Sequence, residues 1–481
     1  MDPPGSSTSN NSSNNNSSSS SNRTSSSRCK RKNWEKYLYV VILLQSIAII
    51  AVFEKFQLPN VVQETLMYGQ EEVKTAKNDT NTQNLRRRDF DPNNTVTTKS
   101  GIQIQERPLP FSFSACLLIK DNNILLPEWL AYHYTVLPLR RLVVAVDPMS
   151  HTDPKPIFDL YASIGMNITT WRNDSFWVDG YVKHEKKDFP ITNETDQETL
   201  RKRFVYRQEQ FYKSCMQQLH DENRTWTVFI DTDEYLAFNH YDEQEGPPTW
   251  CSRKGQKPSC ADDYAKSIQD GTHPRTLLDP SPTATVAQHF DKHGVDVNWD
   301  GVDKPCIVFG RYLFVSKESS SKEEIRRGLD PDFNATLFHT LRYRYRAPLS
   351  TYQLGKSIVD VSRYDGRDMS NPHRPLGDLC TGNNAYVHNA AMSFRVHHYV
   401  GSWETFRQPG LDVRGEQLFQ KRNNINNLVV DNTTPRYSSS GNSNWLTQFA
   451  NLVGKDKALE LTQKIRIREE LEMDKMWQTP I

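Results

Sequence analysis

The sequence predicts an α/β domain built on a mostly parallel sheet flanked by helices, preceded by a single transmembrane helix and a stem. Three observations carry this reading. Short apolar runs alternate with helix-like stretches from Pro108 onward. One 17-residue apolar segment, Tyr37–Phe53, stands alone near the N-terminus. Between the two, residues 54–108 are polar and show no sustained period of 2 or 3.6.

The elements follow in order. Ser114–Ile119 (SACLLI) is a short apolar run bounded by turn formers, suited to a buried strand. Leu126–Tyr134 reads as a helix with Pro127 in its first turn, where the missing N–H costs nothing. Arg141–Asp147 (RLVVAVD) is a second buried strand, followed by the loop DPMSHTDP. Arg201–His220 is the clearest helix, with Phe204, Phe211, Tyr212, Cys215 and Leu219 on one face. Thr225–Phe238 is a strand broken by acids, and residues 240–300, rich in Pro, Asp and His, read as an inserted loop region. Strand and helix in alternation imply parallel pairing with helices on both faces.

The N-terminal segments have their own logic. Residues 1–27 are almost entirely Ser and Asn and cannot bury enough apolar surface to offset their ordering entropy, so 1–36 is expected to be a disordered tail. It closes in a basic cluster: Arg28, Lys30, Arg31, Lys32 and Lys36. That charge sits before Tyr37–Phe53, which holds the tail in the cytoplasm and sends the rest of the chain into the lumen as a single-pass type II protein. The segment has no polar face, unlike a core helix, and no small-residue cleavage site, unlike a signal peptide. Residues 54–108 are then a lumenal stem and 109–480 the globular domain.

Six of the seven cysteines follow the anchor, without the close C-x-x-C pairs of a zinc ribbon. A disulfide framework in an oxidising compartment is expected, with Cys251–Cys260 the easiest pair. Eight N-x-S/T acceptors face the same side: Asn78, Asn93, Asn167, Asn173, Asn193, Asn223, Asn334 and Asn432. Basic and acidic residues number 59 and 58, so charge gives no reason to expect nucleic acid as a partner.

The chemistry concentrates at Asp231-Thr232-Asp233-Glu234, directly after the apolar run Val228–Ile230. A buried strand ending in carboxylates puts them at the C-terminal edge of the sheet, where open α/β sheets bind ligands. Two carboxylates at i and i+2 on extended chain point to one side and can share a hard divalent cation. Such a cation can bridge a diphosphate and take up charge developing on a leaving group. Trp129 and His133 read as core and capping residues, and Leu341–Pro348 (LRYRYRAP) as a half-buried strand facing an anionic ligand or glycan.

Four elements in order resemble glycosyltransferase family 92: PEWLAYH (Pro127–His133), DTDEY (Asp231–Tyr235), Lys356 in GKSIVD, and HHYVGSWETF (His397–Phe406). The resemblance spans roughly residues 112–410. It implies a GT-A-type fold, Mn²⁺ or another divalent cation, a UDP-linked nucleotide-sugar donor and an inverting reaction. The leading expectation is transfer of a hexose, galactose from UDP-galactose, to a glycan acceptor in the Golgi membrane. It further implies Asp231, Asp233 and His398 at the metal, Glu234 with them in catalysis, and Asp147 and Lys356 on the donor. Asp360 and Asp378 are the candidates for the base. A glycan-binding protein without catalysis, or a lumenal glycoside hydrolase, stays open beside this, as does the oligomeric state.

Overall fold

Parallel strands buried on both faces need near-continuous apolar sequence, and the chain supplies it twice at the start of the domain. In a computed structural model of the protein, β1 (Ser114–Ile119) and β2 (Arg141–Val146) pair in parallel from Ser114 opposite Arg141 to Ile119 opposite Val146. The structure describes residues 113–173, 175–176, 197–240, 259–279, 284–293, 304–318, 329–348, 355–367, 369, 373–381, 392–406, 415–430 and 445–478. These fall within the compact unit Thr95–Ile481. The tail, the anchor Tyr37–Phe53 and the stem lie outside the described residues. Among the described residues no helix is long and apolar enough to cross a membrane.

The larger sheet has six strands in the order β3-β2-β1-β4-β9-β6, with β3 (Asn167–Trp171), β4 (Trp226–Phe229), β6 (Cys306–Phe309) and β9 (Lys356–Asp360). β3, β2, β1 and β4 run parallel, and β9 runs against both of its neighbours. The expected mostly parallel sheet is therefore present, with one antiparallel strand, β9, set between β4 and the edge strand β6. Alternation along β2 shows how both faces are covered. Leu142, Val144 and Val146 join a core with Trp129, Trp445 and Phe449, while Val143 and Ala145 join a second core with Phe211, Tyr212 and Phe229. Helix α1 (Leu126–Val136) lies on the first face and α3 (Gln197–Asp221) on the second; the short α2 (Lys155–Ala162) precedes β3.

The sequence did not predict a second sheet, yet one is present, in the order β11-β8-β7-β10-β5. Its members are β5 (Glu234–Phe238), β7 (Arg311–Phe314), β8 (Tyr345–Arg346), β10 (Phe394–Tyr399) and β11 (Val429–Val430). The run Thr225–Phe238 is thus two strands in two sheets, and the acids form the connection. Residues 240–300 also differ from an inserted loop. Their described parts carry the helices Cys260–Gln269 and Val286–His293, and Leu278, Val286 and Phe290 enter the main core. LRYRYRAP is no half-buried strand either: it is a short helix, His339–Arg342, running into β8, with Arg344 and Arg346 buried. Arg346 stacks 4.6 Å from the Tyr312 ring centroid.

Two disulfides staple the larger sheet. Cys116 on β1 binds Cys215 on α3, 99 residues apart, and Cys306 on β6 binds Cys380. Cys260 is also disulfide-bonded, while Cys251, its expected partner, lies outside the described residues. A cross-link closing about 100 residues restricts the unfolded chain strongly. Replacing Cys116 and Cys215 by Ala together should cost about 2–5 kcal/mol, read as a lower guanidinium midpoint; an unchanged midpoint would show that the bridge adds nothing.

Candidate metal centre

The strand order dictates where a ligand can sit. After β1 the chain builds β2 and β3 on one side and β4 on the other, so the crevice opens between the C-terminal ends of β1 and β4. The segments leaving those ends meet there: Asn122 Nδ2 donates to Thr232 Oγ1 at 2.9 Å. The acids do not lie on extended chain as the sequence suggested. Glu234 N–H donates to the Asp231 carbonyl at 3.0 Å, a turn that folds Asp231, Asp233 and Glu234 inward instead of alternating them along a strand. One oxygen from each lies within 4.8 Å of the others, a grouping able to hold a metal ion.

The three carboxylates are not equivalent. Glu234 is fully buried and committed to the protein. Its Oε2 accepts from the Asp231 N–H at 2.9 Å and lies 3.0 Å from Lys356 Nζ; its Oε1 accepts from Arg311 at 2.6 Å. Burial pushes its pKa up, but Lys356, Arg311 and His398 outweigh that and hold it well below the usual carboxylate range. Asp231 and Asp233 open to solvent on 44 % and 34 % of their side chains. Partial desolvation raises the Asp231 pKa, with Glu234 and Asp233 adding and Lys356 opposing. Its exposure tempers that push. For Asp233 burial also pushes upward, but His398 opposite it brings the net shift down.

The expected donor and metal residues divide. Lys356, at the start of β9, stands 2.6 Å from Asp231 Oδ2, so its charge is directed to the acids themselves, and burial notwithstanding they raise its pKa. His398 on β10 is paired across the ladder with Glu234 on β5, which places both side chains on one face. Its Nε2 lies 3.3 Å from Asp233 and its Nδ1 3.6 Å from Glu234, yet neither nitrogen makes a hydrogen bond, and the residue is 5 % exposed. His397 serves elsewhere, its Nε2 accepting from Arg395 Nε at 2.7 Å. Asp147 reaches the same sheet edge at the end of β2, but its oxygens are engaged by Met149 N–H and by Arg207, each at 2.8 and 2.7 Å respectively. It serves as a turn cap and ion-pair partner.

The two candidates for a base are not brought to the cluster. Asp360 lies beside Trp226, at the opposite end of β4 from Asp231, and caps the turn at Ser362. Asp378 is 90 % exposed on its side chain, its carboxylate lies 3.7 Å from Arg367 and its carbonyl accepts from Lys304 at 2.8 Å. Of the glycosylation acceptors, Asn167, Asn173, Asn223 and Asn334 are exposed, and Asn78, Asn93, Asn193 and Asn432 lie outside the described residues.

Sequence reasoning assigned Trp129 and His133 to core and capping, and their contacts do more. Trp129 Nε1–H donates to the Asp231 carbonyl at 3.0 Å and Tyr132 Oη–H to the Leu236 carbonyl at 3.0 Å. Leu236 N–H donates to His133 Nε2 at 3.3 Å. One face of α1 therefore clamps both sides of the acid turn. Arg311 had no local signal at all, being a lone cation between apolar strands. Trp129→Phe keeps the ring and removes the bond to Asp231. It should cost about 1 kcal/mol of stability and weaken severalfold the affinity of the acid turn for a divalent cation; loss of stability with unchanged metal affinity would reduce Trp129 to a packing residue.

No family model, no curated protein and no solved structure matches the chain.

Proposed function

We propose that the protein is a metal-dependent glycosyltransferase that moves a hexose from a nucleotide-linked donor to a glycan acceptor. The observation that supports it best is the pair of partly open carboxylates, Asp231 and Asp233, folded together at the switch point of a parallel sheet. The donor set fits a hard divalent cation such as Mn²⁺: carboxylate oxygens in a tight group, with a buried imidazole lacking hydrogen bonds beside them. Asp231 and Asp233 are the residues that would hold the ion, with His398 the candidate third ligand. When bound, the cation supplies positive charge to a diphosphate leaving group. Glu234 is a positioning residue, since both of its oxygens are already taken by the protein. Lys356, buried against Asp231 and Glu234, neutralises the acids and is the candidate contact for donor phosphate. Asp147, although engaged by Met149 and Arg207, is the candidate contact for the uridine part of the donor.

UDP-galactose is the leading donor, with inversion at the anomeric carbon, in a Golgi membrane protein anchored by Tyr37–Phe53. The disulfides suit the oxidising lumen that this topology requires. The test is a screen of UDP- and GDP-sugars with Mn²⁺, with and without EDTA, on the full chain. Transfer or donor hydrolysis that needs both the metal and one UDP-sugar is expected. A glycan-binding protein would turn over no donor, and a glycoside hydrolase would release sugar from a glycan with no nucleotide present.

A further inference from the structure

A sheet that ends in an unpaired strand presents a row of free N–H and C=O groups, which recruit a strand from another chain unless something covers them. The two sheets have four ends, and three of these are closed by recognisable means. At β6 the disulfide to Cys380 brings in a segment that completes the ladder: Thr381 N–H donates to the Cys306 carbonyl at 2.8 Å and Val308 N–H to Thr381 Oγ1 at 2.9 Å. At β5 helix α1 stands in for a strand, since Leu236 N–H donates to His133 Nε2 and the Leu236 carbonyl accepts from Tyr132. β11 is two residues long, too short to template much pairing.

The fourth end, β3, has none of these protections. Its five residues, NITTW, are β-branched or aromatic after the first, and none is charged or proline. It pairs with β2 along its whole length, and among the described residues no strand lies on its other side. Exposure agrees: β2 is buried throughout, whereas Asn167 is exposed and the other four residues of β3 are half-buried. What β3 does carry is an N-x-S/T acceptor at each end. Asn167-Ile168-Thr169 opens the strand, and Asn173-Asp174-Ser175 begins just beyond its last residue, Trp171. Both asparagines are exposed, and Asn173 turns the chain in the left-handed region with φ at 54°. At about 3.3 Å per residue the strand is about 13 Å from end to end, short enough for bulky, hydrated glycans at its two ends to cover.

We infer that N-linked glycans on Asn167 and Asn173 cap the open edge of the larger sheet and keep it from pairing with a second copy of the chain. The inference rests on the lumenal topology proposed for Tyr37–Phe53 and not on the sugar-transfer chemistry. In each modification the side-chain Nδ2 forms a bond to the anomeric carbon of an oligosaccharide carried on a lipid diphosphate. The anomeric C–O bond to that diphosphate breaks, the diphosphate leaves with the electron pair, and Nδ2 gives up one proton.

The test uses the full chain made in cells with a secretory pathway and purified in detergent, with site occupancy read by peptide mass spectrometry and particle mass by light scattering. Glycan on both Asn167 and Asn173 is expected. Asn167→Gln with Ser175→Ala removes both acceptors and leaves the left-handed turn at Asn173 in place. It should self-associate at a protein concentration at least about tenfold lower than the parent. Asn334→Asp, which removes an exposed acceptor that is not on β3, should leave association unchanged. Thr169→Lys with Ser175→Ala also lacks both glycans but sets a charge on the edge, and should stay as dispersed as the parent. Empty Asn167 and Asn173 beside occupied Asn223 or Asn334 would overturn the inference and leave the topology standing; no glycan at any acceptor would overturn both. Occupied sites whose removal leaves association unchanged, or a Lys variant that associates as readily as the Gln variant, would show that the glycans do not guard the edge.

Discussion

Asp233→Asn should lower metal-dependent transfer by about 100-fold or more while leaving the fold intact. A bound cation contributes several kcal/mol of charge stabilisation, and each 1.36 kcal/mol is a factor of about ten in rate. The fold should survive because Asp233 is one third exposed and its nearest side-chain partner is His398 at 3.3 Å. Glu234, by contrast, anchors Lys356, Arg311 and the Asp231 N–H, so its loss would confuse misfolding with lost chemistry. The two neighbouring histidines supply the control. His398→Ala should raise the Mn²⁺ concentration for half activity, with excess metal restoring part of the rate. His397→Ala removes a fully buried ring bonded to Arg395 and should lower the melting temperature with the metal requirement unchanged. Full activity of Asp233→Asn, or of the unmodified protein in EDTA, would sink the metal centre. A swap of the two histidine phenotypes would contradict the β5–β10 register that pairs His398 with Glu234.

What the sequence made legible has a physical pattern. SACLLI and RLVVAV were readable because a strand buried on both faces must be apolar throughout. Helix α3 was readable because Phe211, Tyr212, Cys215 and Leu219 repeat at helical spacing over many turns. The break between β4 and β5 was not, because WTVF and EYLAF carry the same β-forming texture and only the turn at Asp231–Glu234 tells that they belong to different sheets. The acids themselves stood out, since four polar residues after a buried run have few places to go. Their partners did not. Lys356 came from resemblance, and Arg311, 77 residues from Glu234, is joined to it only by tertiary pairing. The clamp by Trp129 and Tyr132 is equally non-local, bonding to backbone carbonyls more than 100 residues away, and a carbonyl leaves no mark in sequence.

Acidification should destabilise the domain well before its carboxylates titrate. Six histidines have their pKa strongly lowered, chiefly by desolvation: His133, to about 3, His240, His273, His289 and His373, to about 4, and His339, well below its ordinary value. Three of them show a structural reason to refuse a proton. His133 Nε2 accepts the Leu236 N–H, and protonation would put two donors face to face. His289 Nε2 and His339 Nδ1 have no hydrogen-bond partner, so a proton there would add a buried donor without an acceptor. The direction follows from linkage. Between the folded pKa and the unfolded value near 6.5, the unfolded chain binds more protons, so stability falls as pH falls through that window. From pH 7 to 5 each histidine can withdraw up to about 1.8 kcal/mol. Glu128 and Asp231, whose pKa values burial raises, work in the opposite direction but are two groups against six. Asp233 and Glu234, both lowered, hold their stabilisation across this window and lose it only in stronger acid. The melting temperature should therefore drop by several degrees, on the order of 5–10 °C, between pH 7 and 5. His289→Gln, which removes one of the six, should flatten the decline by about a sixth. A melting temperature constant across that interval would mean that these rings accept protons in the folded state, and that burial does not hold them neutral.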